Sequence, residues 1–459
     1  MQFADLAPVR FGFGPSPDQQ GPAKASEILA ALRGPDRLAA RWPGASTAAA
    51  LAYAQRFHQL KKAASPRGSA PDRNAAEAAF AAHRRLGDQV LIESLQGALA
   101  RAVEDQTGFR ERLWAFWRDH FTVRSKRRRD QPLACAHAEA LRPHLCGNFR
   151  TLLRTAVTHP MMLIYLDQVT SFGPNSIRAR RHPEQGLGLN ENLAREVMEL
   201  HTLGVRGAYR QEDVRQLAEL FTGMQVDGTG LVFAPRLAEP GAETVLGRNF
   251  GGDPAKLADI HAALDALALH PDTAQHLARK LAVHFVGPAP DPVLVAALAE
   301  AYTQADAELM PVYAVLLTHP SARAPRFEKI RQPFEYIATG LRALGLDGAR
   351  VMALPPRVMR EGAYGPMRAM GQRWFGAPGP NGIPEAAQDW ISPQQLSARI
   401  GWALAAPQLF GAPVADPIAF AQSALGPRLG ADLATAVPRA ESRPEAAALV
   451  LASAEFMRR

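Results

Sequence analysis

The sequence predicts a mainly α, multi-helix globular protein with one small β-hairpin region around residues 225–250. Three observations predict it. Apolar residues recur at three- and four-residue spacing through most of the chain, as amphipathic helices require. Hairpin chemistry is convincing only where Asp227-Gly228 separates Met224-Gln225-Val226 from Leu231-Val232-Phe233, with Thr244-Val245-Leu246 as a later strand signal. Gly and Pro punctuate the helical stretches without a strong break in composition, so residues 1–459 read as a single helical unit with at most a soft division near 225–250.

Taken in order, residues 24–33 and 73–104 have helical spacing, and 43–46 and 65–71 are breaks. Residues 109–121 set Leu113, Trp114, Trp117 and Phe121 on one side, a core stripe. His120 lies beside that stripe and reads either as a buried, hydrogen-bonded histidine or as a site residue. Thr158-His159-Pro160, Leu269-His270-Pro271 and Thr318-His319-Pro320 each follow an apolar run. They predict helix punctuation rather than metal ligation, with the His in a last turn favoured by the helix dipole and the Pro stopping that helix or beginning the next. Residues 167–189 form a long Gly/Pro/Arg-containing segment, which suits a lid or binding loop. Residues 254–286 and 291–317 return to amphipathic helix, 327–345 contains another, and 376–384 must be irregular because it holds three prolines and three glycines. Ser392-Pro393-Gln394-Gln395 then predicts a helix start with a capping box.

Composition narrows the function classes. Hydrophobic content of 47% and charged content of 21% exclude a disordered or fibrous chain. The net charge of +8 is too modest over 459 residues to argue for nucleic acid. The sharpest basic run, Arg124-Ser125-Lys126-Arg127-Arg128-Arg129, lacks interleaved aromatics and reads as a solvated loop, with phosphate or acidic-partner binding as its alternative. Cys135 and Cys146 alone predict neither a disulfide framework nor a metal site. No apolar run approaches ~20 residues and no signal peptide is visible, so a soluble, cytoplasmic protein is expected, with no membrane partner. No nucleophile elbow, Walker loop, dinucleotide fingerprint or Cys-x-x-Cys pair occurs, which leaves any cofactor unknown.

The most polar helix runs from Asn190, a good N-cap, to Gly204, which can close it in the left-handed conformation. At about 100° per residue, Leu193, Ala194, Val197, Met198, Leu200 and His201 share one arc. Glu191, Asn192, Arg195, Glu196, Glu199 and Thr202 share the other. His201 should therefore be buried and hydrogen-bonded. It faces away from Glu196 and Glu199, so these three cannot chelate one metal, and a metal would need ligands such as His120, His182 or Asp167. No metal site is expected. Glu196 and Glu199 are the candidate catalytic pair, able to share a proton, with Asn192, Arg195, Asp167 and His120 as candidate ligand-binding residues. The alternative is an exposed ladder in which Glu191, Arg195 and Glu199 pair at i, i+4 spacing.

The same run, Asn190-Glu191-Asn192-Leu193-Ala194-Arg195-Glu196-Val197-Met198-Glu199-Leu200-His201-Thr202-Leu203-Gly204-Val205, resembles the signature of the large bacterial family catalogued as "domain of unknown function 1800". Tyr209, Asp213-Val214 and Phe221-Thr222-Gly223 extend the likeness. Other blocks follow in order: Arg10-Phe11-Gly12-Phe13-Gly14-Pro15, Phe116-Trp117-Arg118-Asp119-His120-Phe121, His270-Pro271, Lys280-Leu281, Phe285, and Gly371-Gln372 with Trp390 and Ser392. Two departures stand out. Met224 replaces a frequent Trp, and Ala238-Glu239-Pro240-Gly241-Ala242-Glu243 lacks the family's frequent His-Asp pair. The resemblance implies a mostly helical fold and no settled activity. It also implies a protein partner from a sulfatase- or phosphatase-like family, and relatives that are exported. Two functions are thus open: a ligand-binding or catalytic cleft with acidic and Arg side chains on the 190–204 helix, or an interaction and assembly protein in which that helix is structural glue.

Overall fold

The structure is a computed structural model that describes residues 1–65 and 72–459. The break expected at 65–71 therefore falls, beyond Ser65, outside the described residues. Among the described residues the fold is mainly α, with 64% helix and two small antiparallel hairpins.

The first hairpin pairs Met224–Val226 with Leu231–Phe233, in a register that sets Met224 opposite Phe233. Its turn is held by Asp227, whose Oδ1 accepts from the Thr229 and Gly230 amides. Met224 is fully buried. The Thr244 signal belongs to a second hairpin, Gly241–Val245 with Arg248–Gly252.

Helices Ala25–Arg33, Arg73–Glu104 and Phe109–His120 lie close to where periodicity places them. Two stretches divide in a way that periodicity could not resolve. Residues 254–286 form Leu257–Ala268 and Pro271–Phe285, and 291–317 form Pro292–Gln304 and Leu309–Thr318. The second division coincides with Asp306 and Ala307, both at positive φ, which no helix accommodates.

The His-Pro pairs do punctuate, but differently from expectation. His159, His270 and His319 are the N-caps of the following helices, not the last turns of the preceding ones. Each Nδ1 accepts the amide two residues on, at 3.1 Å from Met161, 3.2 Å from Asp272 and 3.3 Å from Ser321. Each Pro then occupies the first helical position, where its missing N–H costs nothing.

One continuous buried cluster runs from Phe3 to Met457, and helix Phe109–His120 passes through it. Trp117 donates Nε1–H to the Tyr313 hydroxyl, which donates onward to the Leu145 carbonyl, both at 2.8 Å. The same helix carries Arg112 into a buried ion cluster. Glu335 accepts from Arg459 Nε at 2.8 Å and Nη2 at 3.0 Å, and from Arg112. Burial alone would raise the Glu335 carboxyl, but Arg112 and Arg459 outweigh it and hold it down at about 2. The Ser392 capping box forms as expected at the start of Pro393–Leu409.

Candidate functional site

The most polar helix is not a regular α-helix. Residues Asn192–Glu196 are α and Val197–His201 widen into a π-turn. Asn190 Oδ1 accepts the Asn192 amide at 2.9 Å, and Gly204 closes the segment at φ +85°, its amide bonded to the Met198 carbonyl. Thr202 folds back to donate to the Val197 carbonyl at 2.7 Å. The regular spacing of about 100° per residue thus holds only as far as Glu196.

Arg195 sits between Glu191 at 2.9 Å and Glu199 at 3.3 Å, and Gln211 bonds both Arg195 and Glu191. Glu196 is half-buried and has no hydrogen-bond partner among the described residues. Burial, then Glu199, push its carboxyl up, against Arg195. Asn192 is exposed. Asp167 stands at φ +57° and pairs with Lys126 at 2.7 Å, tying the 167–189 segment to the basic run. That run is mostly solvent-exposed, with Arg128 paired to Asp88 and Arg129 to Asp130.

His120 belongs to other surroundings. It lines an open cleft of about 570 Å³ between helices Phe109–His120 and Pro271–Phe285, walled also by the 203–207 turn and the 381–385 loop. His276, Arg279, Lys280 and Val283 come from one face of Pro271–Phe285, as their three- and four-residue spacing dictates. Asp119 and His120 end the facing helix.

The cleft is pinned to the π-turn by its histidines. His276 Nε2 donates to the Leu200 carbonyl at 3.0 Å and His120 Nε2 to the His201 carbonyl at 3.1 Å. Helix-terminal carbonyls have no partner within their own helix, and these two imidazoles supply one. Desolvation is the main cause that moves all three histidines here below their ordinary range, with Lys280 adding to it: His276 to about 4, His201 to about 3, and His120 well below. All are neutral at physiological pH. His201 is buried as expected, but its Nδ1 has no hydrogen-bond partner among the described residues, which corrects the expectation of a satisfied side chain. His120 Nδ1 is likewise unpaired. Its ring is hemmed in by Phe116, Trp117 and Phe121, none of which offers a donor to it.

Two glycines bring backbone against these side chains. A Cβ on Gly204 would lie 2.8 Å from His276 Nδ1. At Gly382, φ +86°, a Cβ would lie 2.8–2.9 Å from the Asp119 carboxylate and carbonyl. The loop can therefore close on Asp119, whose Oδ1 accepts the Ile383 amide at 2.8 Å.

Burial, and to a smaller extent Glu385, push the Asp119 carboxyl up to about 7, against Lys280. Lys280 is half-buried; desolvation lowers its ammonium pKa while Asp119 and Glu385 oppose. Among the described residues no carboxylate oxygen lies within 4.0 Å of its Nζ. Glu385, by contrast, is already engaged. His284 Nδ1 reaches it at 2.6 Å and Lys329 bonds its other oxygen. Burial would raise the Glu385 carboxyl, but His284 and Lys329 hold it well below the usual range. Asp272 accepts the Ala208 amide at 2.7 Å. Arg206 and Arg279 are exposed at the cleft, and Leu203, Val205, Val283 and Val295 supply an apolar wall. Among the described residues no group of three or more His, Cys, Asp or Glu side chains is placed to hold a metal ion. No helix among them is long and apolar enough to cross a membrane.

Of the residues singled out in the sequence, Arg195 and Glu199 come together beside Glu191, whereas His120 joins Asp119, His276 and Lys280. Sequence reasoning missed Asp119, His276 and Lys280 because their chemistry comes from two separate helices. Two signals were available: Asp119 and Lys280 stand in blocks that carry the family resemblance, and in a chain whose basic residues are nearly all Arg, Lys280 is one of seven lysines.

A family model described as "Protein of unknown function (DUF1800)" matches residues 7–458. No curated protein matches the chain. No solved structure matches it either.

Proposed function

The chain belongs to the DUF1800 family, and on that footing we propose that its cleft binds a small anionic molecule and exchanges a proton with it. The observation that carries this reading is an imbalance of free charge. Lys280, Arg206 and Arg279 line the cleft without an ion-pair partner among the described residues. The carboxylates of Glu385 and Asp272 are already satisfied by the protein. A ligand carboxylate or phosphate supplies the missing anion, and the apolar wall takes its body. Burial favours the neutral form of both Asp119 and Lys280, so the carboxylic acid can give a proton and the amine can take one.

Calorimetric titration with inorganic phosphate and with pyruvate tests the reading. Saturable binding is expected, weakened about tenfold or more in Lys280→Met, since a charge-assisted hydrogen bond is worth roughly 1.5–3 kcal/mol. Binding that is absent, or identical in the variant, overturns it.

A second reading keeps Glu196 and Glu199 as an acid pair, with Asn192 and Arg195 beside them and Asp167 on the neighbouring segment. The half-buried, unpartnered Glu196 favours it. A partner of sulfatase- or phosphatase-like kind rests on the family resemblance, and co-purification of the tagged chain with such a protein is its test.

A further inference from the structure

Anchoring an anion does not explain why Lys280 is a lysine. Arg holds carboxylate and phosphate with a two-pronged fork, and this chain uses Arg for nearly every buried ion pair, including those of Arg101, Arg112, Arg142 and Arg459. What Lys offers and Arg lacks is an amine that can lose its proton and attack carbon. Of the seven lysines, Lys24, Lys61, Lys62, Lys126 and Lys256 are exposed. Lys329 is buried but spent, donating to the Val283 carbonyl at 2.9 Å and to Glu385. Lys280 alone combines partial burial, an open cleft and an Nζ with no carboxylate within 4.0 Å among the described residues.

We propose that Lys280 Nζ forms a Schiff base with the carbonyl carbon of a small anionic aldehyde or ketone, a 2-oxo acid being the simplest such ligand. This rests on the anion-binding reading of the cleft. The groups that face Lys280 suit the step. Asp119 and His120 come from helix Phe109–His120, Glu385 from the loop, His201 from the π-turn, and His276 from one turn earlier on its own helix. The three imidazoles are neutral, which leaves Arg206 and Arg279 to hold the ligand's anionic group while Lys280 reacts with its carbonyl.

The chemistry balances without any oxidant or reductant. The neutral amine of Lys280 attacks the carbonyl carbon, an N–C bond forms, and the C=O π pair moves to oxygen. Transfer of a proton from nitrogen to that oxygen gives a carbinolamine. The protonated Asp119 carboxyl then gives its proton to the hydroxyl, the C–O bond breaks, water leaves, and the nitrogen lone pair closes the C=N bond. Asp119 is left as the carboxylate beside the cationic imine, an arrangement that steadies the product.

Reductive trapping tests this on the full chain. The protein is incubated with pyruvate and sodium cyanoborohydride near about pH 7, and peptide mass spectrometry maps the adduct over all seven lysines. Lys280 is expected to label faster than any other lysine, because burial lowers its ammonium pKa and leaves more free amine. Excess phosphate should suppress that labelling, Lys280→Arg should abolish it, and Asp119→Asn should slow it about a hundredfold, the usual scale of general acid catalysis. Labelling spread over Lys24, Lys61, Lys62, Lys126 and Lys256, or unchanged in Lys280→Arg, overturns the proposal. The wild-type map decides the matter even if a variant fails to fold. Saturable phosphate binding without an adduct defeats the Schiff base and leaves the anion-binding reading standing; absence of both defeats both.

Discussion

The His276 imidazole donates its Nε2–H to the Leu200 main-chain carbonyl at 3.0 Å. That single bond joins the cleft helix Pro271–Phe285 to the π-turn Val197–His201, and His120 repeats it on the next carbonyl. The segment most recognisable in the sequence therefore forms the back support of the cleft as well as carrying its own charged outer face.

Replacing His276 should loosen that support. In His276→Ala the Leu200 carbonyl loses its donor, at a cost of about 1–2 kcal/mol, and the adjoining Gly204 turn loses the ring it packs against. Thermal melts and phosphate titration of the same variant should both fall. A variant that melts like the parent and binds phosphate equally would break the link between π-turn and cleft.

The pH dependence of stability should have two arms. Asp119 has a folded pKa of about 7 against an ordinary 3.8, so folding favours its protonated form. Its contribution is fully present below about pH 4 and is lost as pH rises through about 7. Glu335 runs the other way: with a folded pKa of about 2, its contribution is present above its ordinary 4.5 and is lost as pH falls toward 2. Asp119→Asn keeps an acceptor for the Ile383 amide but removes the first arm. Melts from about pH 4 to 8 should show wild type losing ground to the variant as pH rises; a constant difference would refute the assignment.

Glu335→Gln should be among the most damaging single changes. It leaves Arg112 and Arg459 buried and without their counter-charge, a loss of about 3–5 kcal/mol. Chemical denaturation with the midpoint read at neutral pH measures it, and a loss below about 1 kcal/mol would mean the cluster is hydrated.

The charged ladder should respond weakly. In Glu199→Gln, Arg195 keeps Glu191 and Gln211, and both members of the lost pair are partly exposed, so the change should stay below about 1 kcal/mol. Glu196→Gln removes a like charge from Glu199 and should leave the melt level or slightly raised. A drop of a few kcal/mol in both would assign this helix to structure alone and remove its acid pair from consideration.

Much of the fold was legible because its causes are local. Helical spacing placed Phe109–His120, Asp227-Gly228 placed the first hairpin, and Ser392 with Gln395 placed a capping box. Each rests on residues within a few positions of one another, where φ/ψ preference and side-chain periodicity act directly. The Glu191–Arg195–Glu199 ladder was equally readable, since i, i+4 neighbours meet on any helix.

What the linear chain did not reveal depended on contacts made across it. The π-turn arises where Thr202, His120 and His276 take up carbonyls that a regular helix would bond differently, and two of those partners lie far away in sequence. The role of the His-Pro pairs turned on which of two helices each histidine caps, a question of backbone geometry rather than of spacing. The sequence by itself determined the fold class, the family and the charged face of the 190–204 helix. Tertiary structure alone decided that Asp119 and Lys280 share a cleft. Their displaced pKa values come from desolvation that outweighs their mutual attraction, and that desolvation exists only once distant segments exclude water around them.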